Sequence, residues 1–238
     1  MQTPVLLTSA IDVNIEIHWH KRKDIDTRTK DYIKALTFYI INSDFTEIVF
    51  CDGSNYWLEA FDFLFSLAKI FEKKIELISF QQDTENVIKK WKWYWEQQII
   101  NYALQHSELL KHCDTFYKIT GRYLIKNINN ILKNEMKKQN IFFRTSLLDR
   151  QNTNTAFFKT SPIFFKENLE NVEALVDDFN GHGLEFCYYQ KLRWKKLPSF
   201  TELPVFIGVS GSGWNLYPGK ILMAIKQVCN KLWLHTLW

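Results

Sequence analysis

The sequence is poor in residues that break or bend a chain, with 8 glycines and 5 prolines in 238 residues. So few exclude a collagen-like repeat and a Pro/Gly-rich disordered tract. Long apolar runs are also missing, and the longest fall well short of the roughly 20 residues that a membrane span needs. The start, MQTPVLLTSAIDV, lacks the basic-then-apolar order of a signal peptide, so the expectation is a cytoplasmic protein. Cysteine is scarce: Cys51, Cys113, Cys187 and Cys229 stand far apart, with no CxxC pair. That spacing argues against a zinc site and fits reduced thiols. Charge of one sign is not concentrated. The net charge of +4 is mild, whereas nucleic-acid binding usually needs a stronger basic stripe, so no nucleic-acid partner is expected.

Several catalytic signatures are missing as well. There is no HExxH, no GxSxG elbow and no GxGxxG fingerprint. The one Gly-rich stretch, GVSGSGW at 208–214, lacks the GKS/T ending of a phosphate loop and opens no strand-to-helix unit. No internal repeat of fixed period is visible.

What the chain does have is bulk. Hydrophobic residues make up 46% and aromatics 16%, including 19 Phe and 9 Trp. VLLTS (5–9), EIVFC (47–51), IELISF (75–80) and TFYKIT (115–120) are short apolar runs that read as buried strands. VNIEIH (13–18) alternates at strand period, and NIFFRTS (140–146) reads as a further strand. Between them lie helical spacings. Tyr32, Leu36, Tyr39 and Ile40 form one stripe; Trp57, Phe61, Leu64, Phe65, Ala68 and Phe71 form another. Trp95, Ile99, Tyr102, His106 and Leu109 mark a helix within 85–112, and Ile128, Ile131, Leu132 and Met136 mark one more.

This alternation predicts βαβ units and a mainly parallel sheet flanked by helices. Right-handed crossovers place every strand's carboxyl end on one edge, where open α/β sheets bind ligands. The residues just past the strands are therefore the candidates: Thr8 and Ser9, Asp52 and Ser54, Gln81, Thr120 to Arg122, and Asp149. Beyond residue 150 the pattern loosens into DRQNTNTAFF, read as a loop, and then a helix, a turn and another helix. With no clear linker, one domain over 1–238 is expected: an α/β ligand-binding half over 1–150 and a less regular half over 151–238.

Four stretches could carry chemistry. KITGR places Lys118 and Arg122 around Gly121, which reads as a diphosphate site or as a tight turn with solvated charges. In CDGSN, Asp52 could accept hydrogen bonds from a ribose or base, or could cap a helix. KKWKWYWEQQII (89–100) could offer stacking faces or pack its tryptophans on the core, with Glu96 opening the regular helical face. VDDFNGHGLE (176–185) brings Asp177, Asp178, His182 and Glu185 together; a carboxylate there could act as a general base, or the acids could be caps and loop residues. The C-terminal KILMAIKQVCNKLWLHTLW suits either a peripheral membrane contact or a helix packed on the domain.

The succession VLLTSAI, DYIKALTFYI, FTEIVFCDGSN, KIELISF, KKWKWYWEQQIINYAL, FYKITGRYLIKNI, VDDFNGHGLE and GVSGSGW resembles a family of bacterial glycosyltransferases that build surface polysaccharides such as O-antigen, capsule or lipooligosaccharide. The likeness runs over nearly the whole chain, and its most specific piece is Lys118 to Ile128. It implies a GT-A-like (Rossmann-like) fold and a hexosyltransferase in the cytoplasm. It further implies a nucleotide-sugar donor and a glycan or lipid-linked acceptor. Such enzymes usually carry Asp-X-Asp after the fourth strand, binding a divalent metal. Here TGR holds that place, so the resemblance implies metal-independent transfer without a cofactor, Lys118 and Arg122 taking over the counter-charge. Relatives tend to have glycines before the Glu matching Glu96, where this chain has Trp91, Trp93 and Trp95.

The implied mechanism is an inverting displacement. Glu185 is the first choice of base and Asp149 the second. Asp52 and Arg28 hold the nucleotide, with Thr8 beside its base and Ser9, Thr120 and Gly121 at the same edge. Glu96 contacts the donor sugar or its phosphates. Two rival readings stand beside this one: a nucleotidyltransferase, and a catalytically degenerate sugar-nucleotide fold kept as a binding partner.

Overall fold

A computed structural model describes residues 3–13, 24–83, 92–145, 151–177, 181–208 and 227–231. Its centre is a five-stranded sheet built from β1 (Val5–Ser9), β2 (Glu47–Asp52), β3 (Lys74–Ser79), β4 (Phe116–Thr120) and β6 (Phe157–Thr160). The strand order is β3-β2-β1-β4-β6. The first four are parallel, and β6 runs antiparallel to β4. A two-stranded antiparallel ladder, β5 (Leu124–Ile125) with β7 (Phe206–Ile207), lies apart. Helices α1 (Ile25–Asn42), α2 (Phe63–Ile70), α3 (Lys92–His106), α4 (Glu108–Lys111), α5 (Ile128–Asn134), α6 (Pro162–Leu169) and α7 (Leu184–Leu192) surround the sheet. The mainly parallel α/β architecture expected from the alternation is the one observed.

Strand parity divides the core into two layers. Val5, Leu7, Ile48, Phe50, Tyr117, Ile119 and Phe157 pack on Tyr32, Leu36, Tyr39, Leu64 and Ile131. Leu6, Val49, Cys51, Phe116 and Phe158 pack on Ile99, Ile100, Ala103, Phe165, Leu184 and Tyr188. Because both faces are covered, these strands read as continuous apolar runs. The helix α1 starts where the Asp24 carboxylate accepts the Thr27 N–H at 2.8 Å, a side-chain N-cap. Its buried stripe, from Arg28 and Tyr32 through Leu36 to Tyr39, faces β1 and β2.

Three expectations change. NIFFRTS is not a strand of the ladder: it makes only single bridges, Ile141 with Lys159 and Arg144 with Thr153, and the Phe142 N–H goes to the Pro198 carbonyl. The antiparallel edge strand is instead β6, which begins at Phe157 and Phe158, the last two residues of the stretch read as a loop, so the sheet extends past residue 150. The second helical stripe splits into a 3-10 turn, Leu58–Phe61, and α2, which leaves Trp57 outside both and exposed. Most of VNIEIH, the GVSGSGW loop after Gly208 and most of the C-terminal segment lie outside the described residues. Among the described residues no helix is long and apolar enough to cross a membrane, and all four cysteines are unpaired with one another.

Candidate active site

From β1 the chain crosses to β2 and β3 on one side, and later places β4 on the other. The crossovers therefore diverge between β1 and β4. That gap is the topological switch point, where open α/β sheets form a crevice at their carboxyl edge. A cleft opens there, about 470 Å³ with its mouth included. Thr8 and Ser9 from β1, Arg28 and Tyr32 from α1, Trp95, Glu96 and Ile99 from α3, and Thr120 and Arg122 from the end of β4 line it, with Ala10. Six of the residues picked from the sequence as donor contacts thus meet in one place.

Parity explains the wall. Leu6 and Thr8, and Phe116, Lys118 and Thr120, alternate with residues of the α1 layer, so their side chains face α3. Glu96, in α3, meets them. Its Oε1 accepts the Lys118 ammonium, the Thr120 hydroxyl at 2.8 Å and the Thr8 hydroxyl at 3.3 Å. Lys118 also donates to the Thr120 hydroxyl at 3.1 Å and the Thr155 carbonyl at 2.6 Å. Its three donors are therefore engaged, and its side chain is 0% exposed. Burial lowers its affinity for the proton, against the pull of Glu96 and, more weakly, of Glu185. This corrects the reading of Lys118 as a phosphate ligand: it anchors Glu96 beneath the cleft.

Asp52 is likewise spent on structure. Fully buried, it accepts the Ser9 hydroxyl at 2.7 Å, the Ile11 N–H at 2.9 Å, and the Ser54 N–H and hydroxyl at 2.9 and 2.6 Å. It ties the loop after β1 to the loop after β2 and does not line the cleft, which corrects its reading as a ribose or base contact. Arg28 donates through Nε to the Ala10 carbonyl at 2.9 Å, and Tyr32 accepts the Ala10 N–H at 3.2 Å. These contacts fix the chain as it leaves β1.

Gly121 answers to packing rather than to a ligand. Its N–H donates to the Thr8 carbonyl at 2.8 Å. A Cβ built on it would stand 2.7 Å from that same oxygen, so only glycine lets the turn after β4 lie this close to β1.

Arg122 offers the cleft a cation. Its Nε is buried and has no hydrogen-bond partner among the described residues, and the indole Nε1 of Trp95 is in the same condition. Burial opposes the charge of Arg122, but Tyr32, Tyr123, Glu96 and Asp31 outweigh it and hold the guanidinium above its usual pKa. Buried donors without acceptors are rare in folded proteins. The two residues that carry them both line the cleft, and an occupant rich in acceptor oxygens would suit them. Tyr32 and Trp95 thus join the site. The i, i+4 spacing of Arg28 and Tyr32 on one helix was the available signal for the first.

Glu185 does not line the cleft. It sits in the first turn of α7, and its carboxylate is within electrostatic reach of Lys118. Asp177 and His182 exchange backbone hydrogen bonds at 3.0 and 2.8 Å, and His182 stacks on Phe186. Asp149 and Asp178 lie outside the described residues. Among the described residues no group of three His, Cys, Asp or Glu side chains could hold a metal ion.

No family model matches the chain, and no curated protein matches it. Among solved structures it is similar to mouse xyloside xylosyltransferase 1 in its apo form, at 10% identity over 80% of each chain with a TM-score of 0.41.

Proposed function

We propose that this chain is a glycosyltransferase of GT-A-like fold that binds a nucleotide-sugar donor in the cleft between β1 and β4. The observation that carries the reading is the pair of buried, unpaired donors, Arg122 Nε and Trp95 Nε1, at the switch point of a parallel sheet. A diphosphate supplies the acceptor oxygens they lack, and arginine matches its geometry. Glu96, held by Lys118 and two threonine hydroxyls, presents a carboxylate to sugar hydroxyls.

Glu96 is the one carboxylate among the lining residues. Its Oε1 is already committed to an ammonium and two hydroxyls. That donor set does not suit a divalent cation, which takes several oxygen ligands, so the reading routes no step through a metal. Arg122 and Arg28 supply the positive charge.

The step is a single displacement. The acceptor hydroxyl oxygen bonds to the anomeric carbon as the bond from that carbon to the diphosphate oxygen breaks. The diphosphate leaves with the electron pair, and a carboxylate takes the hydroxyl proton. Glu185, in the first turn of α7 and outside the cleft lining, is the base that the sequence resemblance implies. A bacterial surface glycan or its lipid-linked precursor is the proposed acceptor, on the sequence resemblance alone.

The test is a thermal-shift screen with UDP, GDP, CDP, CMP and ADP, in EDTA and again with manganese. One nucleotide should raise the unfolding midpoint in EDTA, and the matching sugar nucleotide should be slowly hydrolysed without acceptor. Stabilisation only with manganese would overturn the metal-free reading. No stabilisation under either condition would overturn the donor site.

A further inference from the structure

The charge of the chain is not spread evenly. Residues 133–138, 191–202 and 227–231 hold eight Lys and Arg side chains against two carboxylates, Glu135 and Glu202, while the whole chain nets only +4. The rest of the molecule is therefore net negative. Both carboxylates are occupied: Glu135 is buried and paired with Lys138 at 2.7 Å, and Glu202 accepts from Asn127 at 2.8 Å.

These three stretches meet. The Thr201 N–H donates to Glu135, and Lys138 donates to the Thr201 hydroxyl at 3.0 Å. Asn230 donates to the Phe200 carbonyl at 2.7 Å. Residues 198–201, which follow the end of α7, thus join the segment after α5 to the short helical stretch at 227–231. Lys133, Lys137, Lys191, Lys195, Lys196 and Lys231 are all exposed on them.

A run of solvated lysines alone would mean little. The same stretches also expose apolar side chains, Trp194 at 79%, Met136 at 69% and Val228 at 59%, and it is their combination with a local excess of positive charge that matters. The Arg193 guanidinium lies 5.0 Å from the Trp194 ring centre. Seven of the eight cations are lysines, point charges without the fork that reads phosphate or base edges bidentately. Exposed Trp, Met and Val among lysines are instead the chemistry of the lipid headgroup region, where the ring and aliphatic groups enter the interface and the ammonium groups meet anionic lipid.

We propose that this face docks the protein on an anionic bilayer surface, with Trp194 as its deepest anchor. The inference stands on the charge and exposure of these segments and not on the transfer reading.

Flotation of the full chain with vesicles tests it. Vesicles of equal parts phosphatidylglycerol and phosphatidylcholine should carry the protein up the gradient at about 0.1 M salt and release it at about 1 M, where screening is short-ranged. Pure phosphatidylcholine should not carry it. Trp194→Ala and the double variant Lys195→Glu/Lys196→Glu should each lower the bound fraction, the double variant by at least about tenfold. Lys69→Glu, a reversal on α2, should float as the wild type does. Unchanged thermal midpoints would exclude misfolding of these exposed-site variants. Failure to float on anionic vesicles, equal flotation on neutral ones, or undiminished flotation of the double variant would each overturn the proposal. Retention of a single-stranded RNA by a protein that ignores vesicles would also overturn it, in favour of nucleic acid.

Discussion

The Lys118 ammonium and the Glu96 carboxylate are ion-paired within the wall of the cleft, the first fully buried and the second 16% exposed. Removing Lys118 leaves the Glu96 carboxylate without its counter-charge and with only a small part of its surface in water. Lys118→Ala should therefore destabilise the protein by about 3–5 kcal/mol in urea unfolding. The double variant Lys118→Met/Glu96→Gln should recover most of that loss, because no uncompensated charge remains. A Lys118→Ala protein of wild-type stability would show that the pair does not form.

Arg122→Gln should separate binding from folding. The substitution removes the guanidinium whose Nε is buried and unpaired, so stability without ligand should stay within about 1 kcal/mol of wild type. Affinity for the nucleotide found by the screen should fall by roughly ten- to a hundredfold, the range of a charged hydrogen bond. Calorimetric titration of both proteins measures the ratio.

Two glycines just past strand ends predict different costs. A Cβ on Gly121 meets the Thr8 backbone oxygen at 2.7 Å, whereas one on Gly53 meets the side chains of Gln82 and Ile99 at 2.7 and 2.8 Å. Backbone in a buried sheet cannot step aside as a side chain can. Gly121→Ala should cost about 1–3 kcal/mol and weaken nucleotide binding, since β1 and β4 must part. Gly53→Ala should cost less than Gly121→Ala in the same unfolding assay.

Lys159 gives a pH signature. It is buried, donates to the Glu135 carbonyl at 2.8 Å, and burial lowers its pKa from the ordinary 10.5 to about 8. The unfolded chain thus binds the proton more tightly than the folded one, and this group's contribution to stability rises with pH between about 8 and 10.5. Lys159→Met lacks that gain. The stability difference should move in favour of the wild type across this window, by at most about 1.4 kcal/mol per pH unit. A difference that stays flat, measured by urea unfolding at several pH values, would refute the assignment.

The sheet was largely legible because its parallel strands are buried on both faces and therefore appear as short apolar runs between helical stripes. β6 was not, because its register places Lys159 inside the strand, where the distant Glu135 and Met136 carbonyls and the Tyr117 ring make a lysine tolerable. NIFFRTS misled for the opposite reason. Its aromatics are buried, but its backbone bonds are shared among Lys159, Asn152 and Pro198 rather than given to one neighbouring strand. Within the site, the strand-end rule found Thr8, Ser9, Thr120 and Arg122. It could not show that Lys118, two residues before the strand end, shares the parity of Phe116 and so meets Glu96, 22 positions away. Nor could it show that Asp52 is consumed by amides and hydroxyls of its own two loops.

The cleft is assembled from four short pieces, at residues 8–10, 28–32, 95–99 and 120–122. The contact between Thr8 and Glu96 alone spans 88 positions. No hairpin or single helix turn contains even a rudiment of it. Contacts of such separation form late, after the loop-closure entropy of the intervening chain has been overcome. Ligand affinity during refolding is then a clock for the last event rather than the first. A nucleotide added to refolding protein should leave the folding rate unchanged and slow only the unfolding, and a chain cut short of β4 lacks Thr120 and Arg122, and with them the cation on which binding depends.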